Sequence, residues 1–597
     1  MGRPLGRSSM LRRGVACSCV LAAVRRRGAT TVTAFGGFNG GAVAPLRRSP
    51  PSSAAAAAPR SPLFSVSSPH TAAAAAAAAA NDLERIGIPK EISEEQDGGG
   101  DLFSWERQWY PAFPLEALGD DGSDGKGGLS DMPHACKILG RNIVVWRSGT
   151  SEDGKAPSYS ALDDTCPHRK TALSTGKIVS GDGGAGGGER CGKSLLQCRM
   201  HGWKFGPDGS CVDVPMMATE PSSSDRNALG AASSYPTKVA GEMLWIFMDP
   251  TVPESDLPEL PAGAAFEPDD DKNWVHVFNL NPLSYEVMVE NTFDPSHAPF
   301  VHEGATIQGG GAYSPDEAIP MKRFELVGGD MGAQSGFTVR HTPYREAKGG
   351  GARADSYKAT TTRQFIPPCT TVTRGTVPDS EIRISFVPAS KRETRVIFSF
   401  GIPVPKNRLV ASLVKRALNN DFLHTMQQMS EGRTKFLDQD RLTMQLQDER
   451  RMLDGAGTDL RPTSSDAGVA AFQRWIGRCG NGGPFADAPA TPNAGAFSMW
   501  DTHGRHCARC KRTLGRLARV ERRAARASAA SLLLGVAVGM AALLMERVGA
   551  SARAAAAALL VGSFVARKVR FWCADMQAKM FVSTGPKREI QEVYLYQ

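Results

Sequence analysis

Four stretches of the chain carry residues whose types and spacing suit metal or redox chemistry. In DPSHAPFVH, residues 294–302, an aspartate and two histidines fall within nine residues. Histidines four apart share a helical face, but His297 and His302 are five apart, roughly 140° around a helix. Pro299 lies between them and removes a backbone donor. If one ion takes both imidazoles, one ring sits near a helix end and the other just past it. Asp294 and His297, three apart, can share a face. Upstream, DTCPHRKTALSTG (164–176) and LLQCRMHGWKFGPDGSC (195–211) supply Cys166-x-His168 and Cys198-x2-His201. Near the C-terminus, HCARC (506–510) holds Cys507-x2-Cys510.

Two cysteines and two histidines suit either a structural zinc or a [2Fe–2S] cluster in which two imidazoles replace two thiolates on one iron. The order, one Cys and one His in each half, favours the cluster, because each half can form its own loop and one iron can take both thiolates. The GPDG that trails the second loop is a turn signal for a hairpin beneath it. Twenty-nine residues separate His168 from Cys198; a glycine-rich insert accounts for this length, and its Cys191 reads as a free surface thiol. The Cys507-x2-Cys510 pair reads as a redox dithiol or as half a zinc site, and no second Cys-x2-Cys exists to complete four ligands. Arg509, Lys511 and Arg512 favour its thiolate form.

Folded elements must hold these groups. NIVVW (142–146), EMLWIFM (242–248) and RVIFSFGIPV (395–404) read as strands. DFLHTMQQMSEGRTKFLDQDRLTMQLQDERRML (421–453) reads as one long helix that Gly432 can interrupt. The expected divisions are a leader at 1–80, a β-rich domain at 101–252, a second domain at 273–455, a loop-like linker at 456–504 and a tail at 505–570. The leader has ten arginines, no lysine and no acid, which is transit-peptide composition. The remainder holds 60 basic and 61 acidic residues, so the net charge of +9 belongs to the leader and no nucleic-acid surface is indicated. Twelve cysteines in 597 residues do not make a disulfide framework, and their metal or redox spacings point to a reducing compartment. In the tail, the uncharged runs 527–545 and 554–566 have basic residues before the first and after the second. This predicts a membrane hairpin with both ends on one side.

Cys-Pro-His-Arg (166–169), Cys-x2-His-Gly-Trp (198–203) and Asp-x2-His-x4-His (294–302) together resemble the Rieske-type non-haem iron oxygenases. Rieske proteins of cytochrome complexes carry one more cysteine in each loop, which CPHRKT and CRMHGW lack. With Cys-x2-Cys and two C-terminal spans, the chain from about 101 to 580 resembles the family's plastid branch, that of pheophorbide a oxygenase and the translocon-associated inner-envelope Rieske protein.

The resemblance implies an α+β architecture: a Rieske domain, a helix-grip (START-like) domain for a mononuclear iron, and a two-helix membrane anchor. It implies a [2Fe–2S] cluster on Cys166, His168, Cys198 and His201. Fe(II) would be held by His297, His302 and a carboxylate from the later helix, Asp440 rather than Asp438, because Asp440 stands seven residues before Gln447 as in the family pattern. Asp294 is expected to hydrogen-bond the His297 ring and to bridge to a cluster histidine of a neighbouring subunit in a homotrimer. The implied reaction is monooxygenation of a chlorophyll-derived tetrapyrrole with O2 and electrons from ferredoxin, at a plastid membrane facing the stroma. The alternative is a redox-sensing component of a protein-import machine, with Cys507 and Cys510 as its working dithiol.

Overall fold

The computed structural model describes residues 103–119, 132–150, 157–181, 194–217, 230–265, 272–304, 313–346, 360–375, 381–429, 431–454, 459–489, 497–545, 549–581 and 583–584. The leader and Cys191 lie outside them. The first half of the described chain is short strands: β1 (Trp109–Pro114), β2 (His134–Ile138), β3 (Arg141–Thr150), β4 (Pro157–Asp163), β5 (Lys177–Val179), β6 (Leu195–Gln197), β7 (Lys204–Phe205), β8 (Cys211–Asp213), β9 (Ser234–Tyr235), β10 (Thr237–Ala240) and β11 (Met243–Phe247). They form three small sheets, β1-β11-β10, β2-β3-β4-β9 and β5-β6-β7-β8. NIVVW falls in β3 and is buried from Ile143 to Trp146, while MLWIF of β11 is buried throughout. Continuous burial explains why both runs lack the polar alternation of a one-sided sheet.

The second half opens with β12 (Lys272–Asn281) and continues through β13 (Phe324–Gly332), β14 (Gly336–His341), β15 (Thr361–Ile366), β16 (Thr370–Arg374), β17 (Glu381–Ser390) and β18 (Glu393–Pro403). These make one antiparallel sheet in the order β12-β18-β17-β16-β15-β14-β13. The helices are α1 (Leu115–Leu118), α2 (Tyr285–Phe293), α3 (Ala298–Val301), α4 (Arg408–Leu418), α5 (Asp421–Gln428), α6 (Glu431–Asp454), α7 (Ala467–Arg478), α8 (Met499–Thr502), α9 (Ala508–Leu544) and α10 (Ala550–Lys579). One apolar core joins the halves, with Tyr110, Phe113 and Trp245 from the first and Phe278, Phe293, Phe472 and Trp475 from the second. Backbone bonds also cross: the β2–β3 turn donates from Leu139 and Gly140 to Pro388 and Ala389 of β17.

Two expectations need correction. The stretch 421–453 is two helices, and the break precedes Gly432, which lies inside α6. The stretch expected as a linker contains α7, whose Phe472 and Trp475 are fully buried. A capping box starts this region, with Thr463 and Asp466 bonded reciprocally. Ala467, Ala470, Ala471 and Trp475 then recur at helical spacing on the buried side. Gly468 lets the helix lie against α2: a Cβ there would meet the Phe293 carbonyl at 2.5 Å.

In the tail, α9 and α10 pack along each other. Small residues line the contact, with Gly535 against Leu559 and Leu560 and Gly539 near Ala556. Ser528 and Ser563 each donate to the other's carbonyl, at 3.0 and 2.8 Å. Outward-facing Leu533, Leu543 and Phe564 are exposed. Among the described residues, α9 is the helix long and apolar enough to cross a membrane.

Candidate metal centres

Cys166 and Cys198 open two loops of the same construction. In the first, Cys166 N–H donates to the Thr171 carbonyl (2.9 Å) and Lys170 N–H to the Cys166 carbonyl (2.9 Å). In the second, Cys198 N–H donates to the Trp203 carbonyl (2.8 Å) and Gly202 N–H to the Cys198 carbonyl (3.0 Å). The fifth residue of each loop is left-handed, Lys170 at φ 58° and Gly202 at φ 76°. The GPDG turn joins β7 to β8 below the second loop, with Gly209 N–H on the Gly206 carbonyl. Asp164 accepts from the Ser174 backbone and hydroxyl, both at 2.6 Å, and ties the first loop to the chain beyond it. Both cysteines are buried in a second apolar core with Trp146, Leu162 and Phe205. Burial pushes the Cys166 thiol up, and Cys198 beside it adds to the rise. The histidines lie nearer the surface, their ring centres 4.6 Å apart, and His168 stacks on Trp203 at 4.5 Å. Paired inner thiols and paired outer imidazoles fit a binuclear cluster whose two irons take different ligands.

The second centre is built by α2, its continuation and α6. Helix α2 ends at Phe293, and Asp294 caps the following 3₁₀ turn, Pro295–His297. His297 then precedes α3, where Pro299 occupies the first turn and its missing N–H costs nothing, and His302 follows the helix. Helix α6 is clamped to the same segment. Asp448 accepts from the Ser284 backbone and hydroxyl, Arg441 donates to Asn281 (2.6 Å), and Arg451 pairs with Glu290. The clamp places Asp440 Oδ1 3.4 Å from His297 Nε2 and 3.1 Å from His302 Nε2.

Ring orientation follows from the opposite nitrogens. His297 Nδ1 is bonded to the Asp294 carbonyl, and His302 Nδ1 to Gln439 Oε1 at 3.3 Å. With Nδ1–H donating in both rings, both Nε2 lone pairs face the carboxylate. Burial raises Asp440, but the two imidazoles outweigh it and the carboxyl is lowered from its ordinary value. Burial likewise lowers His297, and Asp440 reverses the shift to a net rise. An ionised carboxylate facing two imidazole lone pairs is an arrangement that a cation completes. His302 is fully buried while the His297 side chain is 20% exposed. The Asp438 side chain lies outside the described residues.

The structure corrects the expected part of Asp294. Its carboxylate does not hold the His297 ring; the main-chain carbonyl of the same residue does. Oδ1 is occupied by the Ser296 backbone and hydroxyl, as its capping position requires, and Oδ2 is 4.0 Å from His297 Nδ1. Nothing in the local sequence marks Gln439, one amide between two aspartates.

Cys507 and Cys510 stand at the start of α9, both buried. Two histidines, the sequence-distant His424 of α5 and the nearby His503 after α8, lie against them. The spacing His503-x3-Cys507-x2-Cys510 offered a signal for His503, and nothing in the local sequence marks His424.

Residues 119–236 match the Rieske [2Fe-2S] domain family, and residues 283–481 match the vanillate O-demethylase oxygenase C-terminal domain family. The chain is 25% identical over 463 residues to protochlorophyllide-dependent translocon component 52 of Arabidopsis thaliana, covering 71% of this chain and 76% of that one. It is 24% identical over 469 residues to pheophorbide a oxygenase of the same plant, covering 72% and 76%. It is 25% identical over 443 residues to flavonoid 8-hydroxylase 2 of Ocimum basilicum, covering 71% and 75%. The chain belongs to the Rieske-type non-haem iron oxygenases, in the plastid branch of that family. It is therefore an oxidoreductase, and membership implies a Rieske [2Fe–2S] cluster and a mononuclear iron.

Proposed function

We propose that the protein is a membrane-anchored plastid monooxygenase whose substrate is a chlorophyll-derived tetrapyrrole, and that its electrons come from ferredoxin. The observation that carries the reading is the convergence of His297, His302 and Asp440, with the His297 side chain partly exposed. Two imidazoles and one carboxylate with open positions suit non-haem iron that activates dioxygen. His297, His302 and Asp440 would hold that iron, and Cys166, His168, Cys198 and His201 the cluster. Gln439 and the Asp294 carbonyl fix the two rings, a role that outer partners of metal-bound histidines commonly fill. The Asp294 carboxylate, 38% exposed, remains available to bridge to His168 or His201 of a neighbouring subunit in a homotrimer.

The names of pheophorbide a oxygenase and the protochlorophyllide-dependent component support a tetrapyrrole, and the same relatives support a plastid. The seven-stranded sheet with α6 and α7 supports a helix-grip domain. The exposed apolar surface of α9 and α10, with basic flanks, supports a hairpin anchor in the envelope or thylakoid with the folded domains in the stroma. A second reading, a redox-sensing subunit of the import machinery, draws on the relative named as a translocon component. The deciding experiment incubates ferredoxin-reduced protein and 18O2 with a panel of chlorophyll breakdown intermediates and a flavonoid. Label in a tetrapyrrole product is expected; label in the flavonoid alone overturns the substrate class, and turnover of nothing favours the import reading.

A further inference from the structure

We infer that Cys507, Cys510, His424 and His503 form a closed, four-ligand zinc site at the root of the C-terminal helices, separate from both iron centres. One ligand atom from each residue lies within 4.8 Å of all the others, and all four residues are buried. His424 Nε2 is 3.3 Å from His503 Nε2 and 3.5 Å from Cys507 Sγ. Zinc binds nitrogen at about 2.0–2.1 Å and sulfur at about 2.3 Å, so a tetrahedron has edges of about 3.3–3.4 Å between nitrogens and about 3.5–3.6 Å between nitrogen and sulfur. Both spacings agree with a single ion. They do not agree with a second binuclear cluster, in which thiolates and imidazoles belong to different irons.

The surroundings prepare the donors. His503 Nδ1–H donates to the Phe278 carbonyl of β12 at 2.6 Å, which leaves Nε2 as a lone pair aimed at the group. The Thr425 hydroxyl donates to Cys510 Sγ at 3.7 Å. Cys507 is the N-cap of α9 and Cys510 lies in its first turn, where the helix favours negative charge. Binding would release the two thiol protons to solvent, and two thiolates would neutralise the divalent ion, so the buried site carries no net charge. Four protein donors leave no position for substrate, as in structural zinc sites.

The ligands come from three places that must stay together. His424 belongs to α5, which precedes the Asp440 helix; His503 is fastened to the catalytic sheet; the cysteines begin the helix that carries the apolar run. Beside the site, Asp421 of α5 takes both nitrogens of a bidentate Arg512 at 2.9 Å and Arg516 at 3.1 Å. The ion would tie the anchor to the domain that holds the iron.

The test is metal analysis with zinc K-edge absorption on full-length protein, purified in detergent from cells supplied with both iron and zinc. One zinc per chain is expected, with a shell of two sulfurs at about 2.3 Å and two nitrogens at about 2.0–2.1 Å. Cys510→Ser and His503→Ala should each lose that zinc and keep the Rieske absorption, while His302→Ala should keep the zinc. Three results overturn the inference: no zinc, a zinc shell without sulfur, or a Cys507–Cys510 disulfide in protein alkylated anaerobically as purified. If the variants do not fold, the absorption edge of the parent decides.

Discussion

Two of the clusters draw on the same kind of donor and are built to opposite ends. The trio His297, His302 and Asp440 offers three donors and one partly exposed ring. The quartet His424, His503, Cys507 and Cys510 offers four, all buried. The trio's donors come from a turn, a short-helix end and one long helix, held by an ion-pair and hydrogen-bond clamp. The quartet's donors close on one another, with a backbone carbonyl behind one ring and a helix start beneath the sulfurs. Ligand count and burial, more than ligand identity, separate a centre that can admit a reactant from one that can only hold the fold.

The largest effect that separates them is on turnover. His302→Ala or Asp440→Ala should remove oxygenation to the limit of detection while the Rieske spectrum stays intact, because the cluster loops share no residue with the trio. Asp438→Ala should leave turnover in place. Single-turnover product analysis beside the cluster's visible spectrum checks both; if Asp438→Ala silences the enzyme and Asp440→Ala does not, the carboxylate has been assigned to the wrong residue.

The quartet's region should instead respond in stability. Asp421 is buried under Arg509, Arg512 and Arg516. Removing one partner of a buried ion pair strands the others, at a cost of about 3–5 kcal/mol. Asp421→Ala should lower the denaturation midpoint by a corresponding amount, while the fraction still folded turns over at the parent's kcat. A fall in kcat with no fall in the midpoint would merge the two regions into one functional unit and remove the contrast.

Much of this was legible because metal ligands cluster locally. The twin loops that begin at Cys166 and Cys198 each fit within six residues, and His297 and His302 within six more. Asp440, which the structure brings to both rings, stands in the pattern that precedes Gln447. What stayed hidden depends on three-dimensional approach. His424 meets Cys507 across 83 positions, and Gln439 reaches His302 across 137. Helix α7 hid within a stretch of Gly, Ala, Pro and Thr, where alanines are too small to mark a buried stripe by eye and the capping box Thr463-x2-Asp466 was the available signal. For Asp294 the residue was found but not the atom: a side chain that caps a turn is already committed, so the ring turns to the main chain.

A finer contrast lies inside the trio. Gln439 holds the buried ring of His302 from behind. Gln439→Leu keeps the bulk and loses the acceptor, so the ring is free to change tautomer. Outer partners of metal-bound histidines are worth about 10–100-fold in affinity or activity. The variant should lose activity by that factor, with iron retention reduced and zinc content unchanged. Equal loss of both metals would show a general folding defect.

The smallest expected effect concerns Asp294, and it separates positioning of a ligand from transfer of an electron. Since the main-chain carbonyl of residue 294 holds the His297 ring, Asp294→Asn should leave the ring and the bound iron where they are. The new amide oxygen can still accept from Ser296, so the cap survives. What disappears is the carboxylate charge, which in the proposed trimer would face a neighbouring subunit's cluster histidine. Pre-reduced protein, mixed with substrate and O2, should then show cluster oxidation slowed by about tenfold, the low end of the range for such outer groups, with iron and cluster content equal to the parent's. Oxidation at the parent's rate would mean that this carboxylate serves only its turn. Full activity in a detergent-dispersed monomer would remove the intersubunit route altogether, since that route depends on the proposed head-to-tail ring to bring one subunit's cluster beside the next subunit's iron.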